Sequence, residues 1–296
     1  MSALRVGVLH YPVTRIPSWG AYAAKLGALV AEGAAGGAQL LVMAEYAAME
    51  CAAIHGDHPD PVAERDAVCA MVPDLLRLMR DTARQHGVWL QPGTLPWRED
   101  AGRGPRVVNR APLIAPDGRV AFSDKQVMTR FEAEQWDVSA GSPPRVMDTP
   151  WGRVGLAVCY DVEFPPVVRA LTEAGAWLVL APTCTDTPHG FNRVRISARA
   201  RAVENQCFVA VSPTVGDAPW LRSLDRNVGR AGVYGPADRG FAADGIVAEG
   251  DGAGWVFADL DPARLHAVRA DGAVRNFRDW PALVPATPAL FEELAP

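Results

Sequence analysis

Three segments of the sequence place a reactive side chain where an apolar run or a turn ends. Cys159 follows the predicted strand Val154–Val158. Glu45 follows an apolar run, and Lys125 follows a turn at Asp117-Gly118. A thiol is a strong nucleophile, a carboxylate can accept its proton, and an ammonium group can stabilise negative charge. Because residues that follow a strand lie at a sheet edge, where α/β proteins bind ligands, these side chains could together transfer an acyl group.

The turn that holds Cys159 could also supply a hydrogen-bond donor. A helix is predicted to begin about Pro165, so Cys159 lies between a strand and a helix, and the backbone N–H of Tyr160 could point at an oxyanion. Each signal alone has a structural alternative. Cys159 could be a small buried hydrophobic residue, Glu45 a capping or solvated carboxylate, and Lys125 a surface charge.

Taken together and in this order, the three segments resemble the nitrilase superfamily of carbon–nitrogen hydrolases. The segment Cys-Tyr-Asp-Val-Glu-Phe-Pro, residues 159–165, is similar to the nucleophile signature Cys-Tyr-Asp-x-Arg-Phe-Pro of its amidase branches. The resemblance extends over nearly the whole chain. The supporting matches are Asn109 with Pro116-Asp117-Gly118, Gly141, Gly175-Ala176 with Pro182, Arg199 to Asn205, and Gly235-Pro236.

The resemblance implies a role for each of these residues. Cys159 is the expected nucleophile, Glu45 the general base, and Lys125 with the Tyr160 amide the stabiliser of the oxyanion. Acyl transfer would pass through a thioester, and neither a metal ion nor an organic cofactor is expected. The family has a second, auxiliary glutamate, and counting back from Gly141 assigns it to Glu134, with Glu132 as the competitor.

The substrate is predicted less closely than the reaction. The expected pocket residues are Tyr46, Phe131, Trp136, Glu163, Thr183 and Asp186. Glu163 stands where many amidase members have arginine, and Val127 replaces a frequent histidine. A glutamate at this position argues against an anionic substrate, although Glu163 could instead pair with a nearby arginine. The expected partner is a small-molecule amide or ureide.

Two other functions remain open at this point. Nitrile hydrolysis is disfavoured because true nitrilases usually carry Cys-Trp-Glu, whereas this chain has Cys159-Tyr160-Asp161. A non-catalytic relative that acts as a binding protein would lack one of the three reactive residues, and none is missing. A hydrolase of small amides or ureides is therefore the preferred hypothesis.

Composition excludes several other classes of protein. The 296 residues carry a formal net charge of −5, which does not favour a nucleic-acid partner. The arginine-rich stretch from Arg193 to Arg201 is interpreted as a solvated or ion-paired helix face. No apolar run approaches the length of a membrane span, and five scattered cysteines favour a reducing, cytoplasmic location. His55-Gly-Asp-His58 is interpreted as a polar loop and not as a metal site.

Short apolar runs alternate with longer helical patterns, which predicts an α/β fold. The predicted helices are Ala21–Glu32, Val62–His86, Pro165–Ala174, Val194–Asn205 and Pro262–Val268. The number of strands favours two packed sheets with helices outside. The resemblance implies the four-layer α-β-β-α sandwich, with a hydrolase domain over residues 1–285 and a C-terminal tail over residues 286–296. It also implies a homodimer or a higher homo-oligomer, in which Asn276 to Val284 could pack across the subunit boundary or on its own chain.

Overall fold

A computed structural model of the chain describes residues 3–100 and 104–280. Within these residues the strands are β1 (Leu4–Pro12), β2 (Leu40–Val42), β3 (Trp89–Gln91), β4 (Leu95–Asp100), β5 (Pro105–Ile114), β6 (Val120–Asp124), β7 (Val138–Ser139), β8 (Val146–Thr149), β9 (Gly152–Leu156), β10 (Leu178–Thr183), β11 (Phe208–Asp217), β12 (Arg226–Asn227), β13 (Gly232–Tyr234), β14 (Ile246–Glu249) and β15 (Gly254–Leu260). The helices are α1 (Trp19–Ala35), α2 (Pro61–His86), α3 (Arg130–Glu134), α4 (Pro165–Glu173), α5 (Pro188–Glu204), α6 (Pro262–Asp271) and α7 (Asn276–Asp279), with 3₁₀ helices at Ala47–His55 and Cys159–Glu163.

The strands form two sheets that meet along one pair of strands. The first sheet runs β15-β1-β2-β3-β5, with β4, β6 and β7 also paired to β5. The second runs β14-β13-β11-β10-β9-β8. The end of β1 pairs in parallel with the end of β11, so the two sheets are continuous at that corner.

The alternation of side chains along β2 shows how the layers are built. Leu40 and Val42 pack in the core between the two sheets, whereas Leu41 and Met43 pack in a second core beneath α1 and α2. Successive strand residues point to opposite faces, so one apolar run supplies both cores. Helices α4 and α5 cover the outer face of the second sheet. The predicted α-β-β-α sandwich is confirmed.

The structure corrects the predicted start of one helix and shows how the segment from Asn276 packs. Helix α5 begins at Pro188 and not at Val194, because the Thr187 side chain accepts the N–H of Gly190 and proline is favoured in a first helical turn. The described part of the segment that begins at Asn276 packs on its own chain, where the Arg169 guanidinium lies over the rings of Phe277 and Trp280. The boundary at residue 285 and the tail lie outside the described residues.

A close backbone contact fixes the chain just after β2 and β3. Gly93 has a φ of +92°, and a Cβ atom placed there would lie 2.0 Å from the carbonyl oxygen of Ala44. Only glycine accepts both the left-handed backbone and this approach. The contact holds Ala44, and with it Glu45, against the turn that follows β3.

We expect Gly93→Ala to lower the free energy of unfolding by about 3 kcal/mol, through backbone strain combined with overpacking. Gly87→Ala is the matched control, because Gly87 also has a positive φ but a Cβ there would meet nothing within 4 Å. That control should lose only about 1 kcal/mol. Urea denaturation of both variants measures the difference, and equal losses would contradict the importance of the contact with Ala44.

Candidate active site

Glu45 lies at the carboxyl edge of the first sheet, three residues beyond the end of β2, and its side chain is buried. The next residue, Tyr46, has a left-handed backbone with φ of +57°, and its N–H donates to Thr94 Oγ1 at 3.0 Å. The chain therefore turns sharply after Glu45. The carboxylate is directed into the protein at the edge where parallel strands end.

Cys159 lies on the turn between β9 and α4, as the sequence predicts. Its φ is +50°, a backbone conformation that is uncommon for a residue other than glycine and that is often found at functional sites. The Sγ atom donates to the carbonyl oxygen of Cys184 at 3.5 Å. Cys159 begins a 3₁₀ helix, and the first N–H groups of a helix lack partners within it. The Tyr160 amide is one of these early donors.

Lys125 directly follows β6, and its side chain is 1% exposed. Its Nζ donates to Glu45 Oε1 at 2.9 Å and to Glu132 Oε2 at 2.6 Å. Both carboxylates are also buried. A buried ammonium group is stable only when it is paired, and here the carboxylates of Glu45 and Glu132 both pair with it. The structure thus brings together side chains that are 80 residues apart in the sequence.

The auxiliary carboxylate beside Lys125 is Glu132, and the prediction of Glu134 is wrong. Glu134 lies on the exposed side of α3, where it pairs with Arg130 at 3.0 Å. Two residues along a helix differ by about 200° around its axis, so only one of the two can face the site. Glu132 is also the third residue of α3, and its Oε2 accepts hydrogen bonds from the N–H and Oγ1 of the N-cap residue Thr129.

Asn109 and Tyr46 complete the hydrogen bonding of the two carboxylates. The Asn109 amide donates to Glu45 Oε1 at 2.9 Å and to Glu132 Oε1 at 3.3 Å. The hydroxyl of Tyr46 donates to Glu132 Oε1 at 2.9 Å. The Asn109 carbonyl also accepts the N–H of Lys125, so β5 fixes the lysine backbone and both carboxylates at once.

Burial and charge give the two carboxylates different proton affinities. Burial raises the pKa of Glu45 to about 7, against the attraction of Lys125 and with the repulsion of Glu132. Burial also acts to raise the pKa of Glu132, but Lys125 and the hydrogen bonds from Thr129 outweigh it and hold that pKa below its usual value. Burial alone would lower the pKa of Lys125, yet the two carboxylates hold it well above the usual range. Glu45 is therefore the group able to exchange a proton near neutrality.

The cysteine is held as a neutral thiol and connected to the lysine segment by Asp161. Burial and the negative charge of Glu45 raise the pKa of the Cys159 thiol well above its usual value. The Asp161 carboxylate accepts the N–H groups of Val158, Gln126 and Val127 at 2.9–3.2 Å. One buried carboxylate thus connects the residue before Cys159 with the two residues after Lys125.

A cavity of about 620 Å³ opens onto Glu45, Lys125 and Glu132. The predicted pocket residues that line it are Tyr46, Phe131, Trp136, Glu163 and Asp186, together with Tyr160. Thr183 does not line the cavity, and that prediction is wrong. Strand β10 continues through Thr183, whose hydroxyl donates to the Ser212 carbonyl of the neighbouring strand at 3.4 Å and is buried there.

Glu163 pairs with Arg193 at 3.3 Å, which confirms the alternative of a nearby arginine. The ion-paired interpretation of the arginine-rich helix is confirmed too, because Arg195 pairs with Glu249 and Arg201 with Glu204. These arginines form ion pairs with acidic side chains of the same chain.

Sequence reasoning missed one side of the cavity. The residues on this side follow β11 and extend to the first residue of β12; they are Arg222, Ser223, Asp225 and Arg226. This segment carries no sequence motif, and its position in the cavity depends on contacts with distant parts of the chain. Its role was therefore not predicted from the sequence. Cys184, whose carbonyl accepts from the Cys159 thiol, also lines the cavity.

Over residues 3–100 and 104–280, no group of three or more His, Cys, Asp or Glu side chains is arranged to hold a metal ion. In the same residues no helix has the length and apolar character required to cross a membrane.

Comparison with known proteins identifies relatives of this chain. A sequence model of the family described as carbon-nitrogen hydrolase matches residues 12–267. The probable hydrolase YhcX of Bacillus subtilis (strain 168) is 35% identical over 208 residues, which are 70% of this chain and 40% of that protein. A deaminated glutathione amidase of Yersinia enterocolitica is 30% identical over 148 residues, which are 47% of this chain and 51% of that protein. This chain thus spans about half or less of the length of these two curated relatives.

Among solved structures, a double mutant of the amidase from Nesterenkonia sp. AN1 in complex with acrylamide is 27% identical. The match has a TM-score of 0.70 and covers 95% of this chain and 98% of that one. Saccharomyces cerevisiae Nit3, a member of branch 10 of the nitrilase superfamily, matches with a TM-score of 0.72 at 20% identity, covering 90% and 93%. At that identity the second match supports the fold alone.

The two glutamates of α3 allow a matched test of the site. We expect Glu132→Gln to lower turnover by roughly 10²-fold, the scale lost with one preorganised electrostatic group, because Lys125 loses a charged partner. Glu134→Gln removes the same charge from the exposed side of the same short helix and should change turnover by less than about twofold.

Steady-state kinetics of both variants, with folding compared by circular dichroism, measures the contrast. If Glu134→Gln lost turnover while Glu132→Gln kept it, the carboxylate that contacts Lys125 would have no part in turnover.

Proposed function

Because this chain belongs to the carbon–nitrogen hydrolase family of the nitrilase superfamily, we propose that it hydrolyses a small amide or ureide through a thioester on Cys159. The observation that carries the proposal is the buried cluster of Lys125 between Glu45 and Glu132, which lines a cavity and in which Glu45 is hydrogen-bonded to the Cys159 thiol. A nucleophile, a base near neutral pKa and a fixed cation are the parts that acyl transfer needs.

The first half of the reaction forms the acyl-enzyme. Cys159 Sγ attacks the carbonyl carbon while Glu45 accepts the thiol proton, so no free thiolate has to accumulate in a buried site. The negative charge that develops on the carbonyl oxygen is stabilised by Lys125 Nζ and by the N–H of Tyr160. Glu45 then donates its proton to the nitrogen, the C–N bond breaks, and ammonia or an amine leaves.

The second half releases the acid. Water attacks the thioester carbon, and Glu45 accepts one of its protons. The C–S bond breaks, and the sulfur regains a proton from Glu45. Glu132 keeps Lys125 charged and in place in both halves, because its lowered pKa holds it ionised while Glu45 changes state.

Relatives of known structure support the cysteine chemistry. Structures of a single-site variant of the Nesterenkonia amidase have acrylamide added at the active-site cysteine, or the acetamide moiety of fluoroacetamide bound there covalently. We transfer to this chain only the inference that a cysteine in this fold can attack small amide-like molecules. The homodimer and the cytoplasmic location stay predictions.

The decisive experiment compares Cys159→Ala with the wild type on small amides, ureides and nitriles, with release of ammonia or amine as the readout. We expect the wild type to hydrolyse at least one amide or ureide, and Cys159→Ala to lose more than about 10³-fold of that turnover, because the variant lacks the sulfur that would form the thioester.

Cys207→Ala is the control, because Cys207 is a buried thiol of the second sheet and does not line the cavity. Release of ammonia from nitriles alone would favour the nitrilase alternative. Full activity in Cys159→Ala would refute the thioester.

The pKa of Glu45 predicts the pH dependence. The base must be ionised to accept the thiol proton, so kcat/KM should rise by roughly tenfold per pH unit below about 7 and level off above it. The raised pKa of Cys159 keeps the thiol protonated across that range. Steady-state rates with an amide that does not itself titrate give the profile, and a kcat/KM that falls as pH rises through 7 would contradict Glu45 as the base.

A further inference from the structure

The side of the cavity that sequence reasoning missed is held by a buried glutamate from a distant helix. We call residues 221–226 the rim segment. The backbone N–H groups of Arg222 and Ser223 donate to Glu64 Oε1 and Oε2, at 2.8 and 2.9 Å. Glu64 lies in the first turn of α2, is 1% exposed, and is 158 residues from Arg222 in the sequence. One carboxylate therefore binds two successive amides of the rim segment.

The beginning of α2 also contacts a second part of the cavity lining. The Arg65 guanidinium donates to the carbonyl oxygens of Trp136 and Asp137, and the Trp136 indole N–H donates to the Pro61 carbonyl at 2.6 Å. Trp136 lines the cavity facing Glu132 and Tyr46. The beginning of α2 thus contacts both the rim segment and the chain at Trp136, although it carries none of the proposed reacting groups.

Other contacts also hold the rim segment. The Arg222 Nε donates to the His58 carbonyl at 3.3 Å, and the Asn227 amide donates to the Leu224 carbonyl at 2.8 Å. Leu221 and Leu224 pack in the core beneath α1 and α2. Glu64 is the buried ionisable group in this set, and its removal would leave two backbone donors without a partner in a water-poor place.

Glu64 is separate from the reacting groups. In the described residues its side-chain hydrogen bonds go to the rim segment, whereas Glu45, Lys125 and Glu132 are bound to one another, to Asn109, to Tyr46 and to Thr129. Arg222 and Arg226 face the cavity from the rim segment, and guanidinium groups only donate hydrogen bonds. A group that reaches them from the reacting carbonyl must offer an acceptor oxygen.

We infer that Glu64 is a positioning residue that fixes the rim segment, and that it thereby sets the affinity for amides long enough to place an acceptor group against Arg222 and Arg226. The inference rests on the proposed function, because it concerns the substrate of that same site. It goes beyond it by assigning substrate-length selectivity to a residue of α2 that does not line the cavity.

The kinetic test uses Glu64→Gln with two amides, a short alkyl amide and a longer one with a carboxylate or carbonyl group at its far end. Glutamine keeps the shape but presents one NH₂ group to a backbone donor. We expect KM for the long amide to rise about tenfold, and kcat for both amides and KM for the short amide to change less than about twofold.

Glu173→Gln is the matched control, because Glu173 pairs with Arg169 on α4 and does not line the cavity. It should change neither constant. A uniform loss of kcat in Glu64→Gln would assign Glu64 a general structural role and overturn the inference.

Amide hydrogen exchange at residues 222 and 223 tests the anchoring without any substrate. We expect exchange to be at least about tenfold faster in Glu64→Gln, because loss of a buried acceptor favours local opening. Glu64→Asp folds with the charge kept but reaches less far, so it gives a smaller change in the same direction if the glutamine variant does not fold.

The outcomes separate the two proposals. Unchanged exchange in both variants would refute the anchoring, and faster exchange with unchanged KM for the long amide would refute the link to affinity. A wild type that hydrolyses no amide, with faster exchange in the variants, would refute the proposed function and the link to affinity and leave the anchoring supported.

Discussion

The burial of one ammonium group is the constraint on which the rest of this structure depends. Lys125 is almost wholly withdrawn from water, and an unpaired charge in that position would cost several kcal/mol. Glu45 and Glu132 must therefore meet it from two different elements, the end of β2 and the helix α3. Each carboxylate also accepts further hydrogen bonds, from Asn109 to Glu45 and from Thr129 and Tyr46 to Glu132. The first sheet serves this cluster, because it brings the ends of β2 and β6 beside Asn109 in the middle of β5.

The cluster contains one more carboxylate than it has cations, and this imbalance explains its reactivity. Two buried carboxylates around one ammonium group cannot both be equally stabilised as anions. Glu132 has the additional hydrogen bonds of the α3 N-terminus and stays ionised, so the excess negative charge falls on Glu45 and raises its pKa. The same negative charge keeps Cys159 as a thiol. The negative charge thus lies on Glu45, the base. The Cys159 sulfur loses its proton only as it attacks the substrate carbonyl.

The sequence predicts those parts of the site that end strands, and fails where helices and long-range contacts decide. Glu45, Lys125 and Cys159 each follow an apolar run or a turn, and they were selected because together they resemble the nitrilase superfamily. Glu132 was named only as the competitor of Glu134 because a count from Gly141 ignores helix geometry, although Thr129-x-x-Glu132 is itself a capping-box pattern that predicts a helix start at this point. Thr183 was wrongly placed because polarity suggested a loop, while β10 in fact continues through it. The role of the rim segment could not be predicted at all, since no local pattern connects it to Glu64.

These failures have one physical cause. The residues proposed to react lie at strand ends, whereas the residues proposed to select the substrate lie on segments held by long-range contacts. Strand ends are determined by local apolar patterns, and the reacting groups lie on them, held by a charge cluster whose members are bound to one another. The sides of the cavity lie on segments without a pattern of their own, and they are held instead by the first turn of α2 through Glu64 and Arg65. Changes in α2 can therefore move the sides of the cavity while Lys125 keeps both of its partners. A fold organised in this way can alter which amide it admits without rebuilding the groups that cleave it.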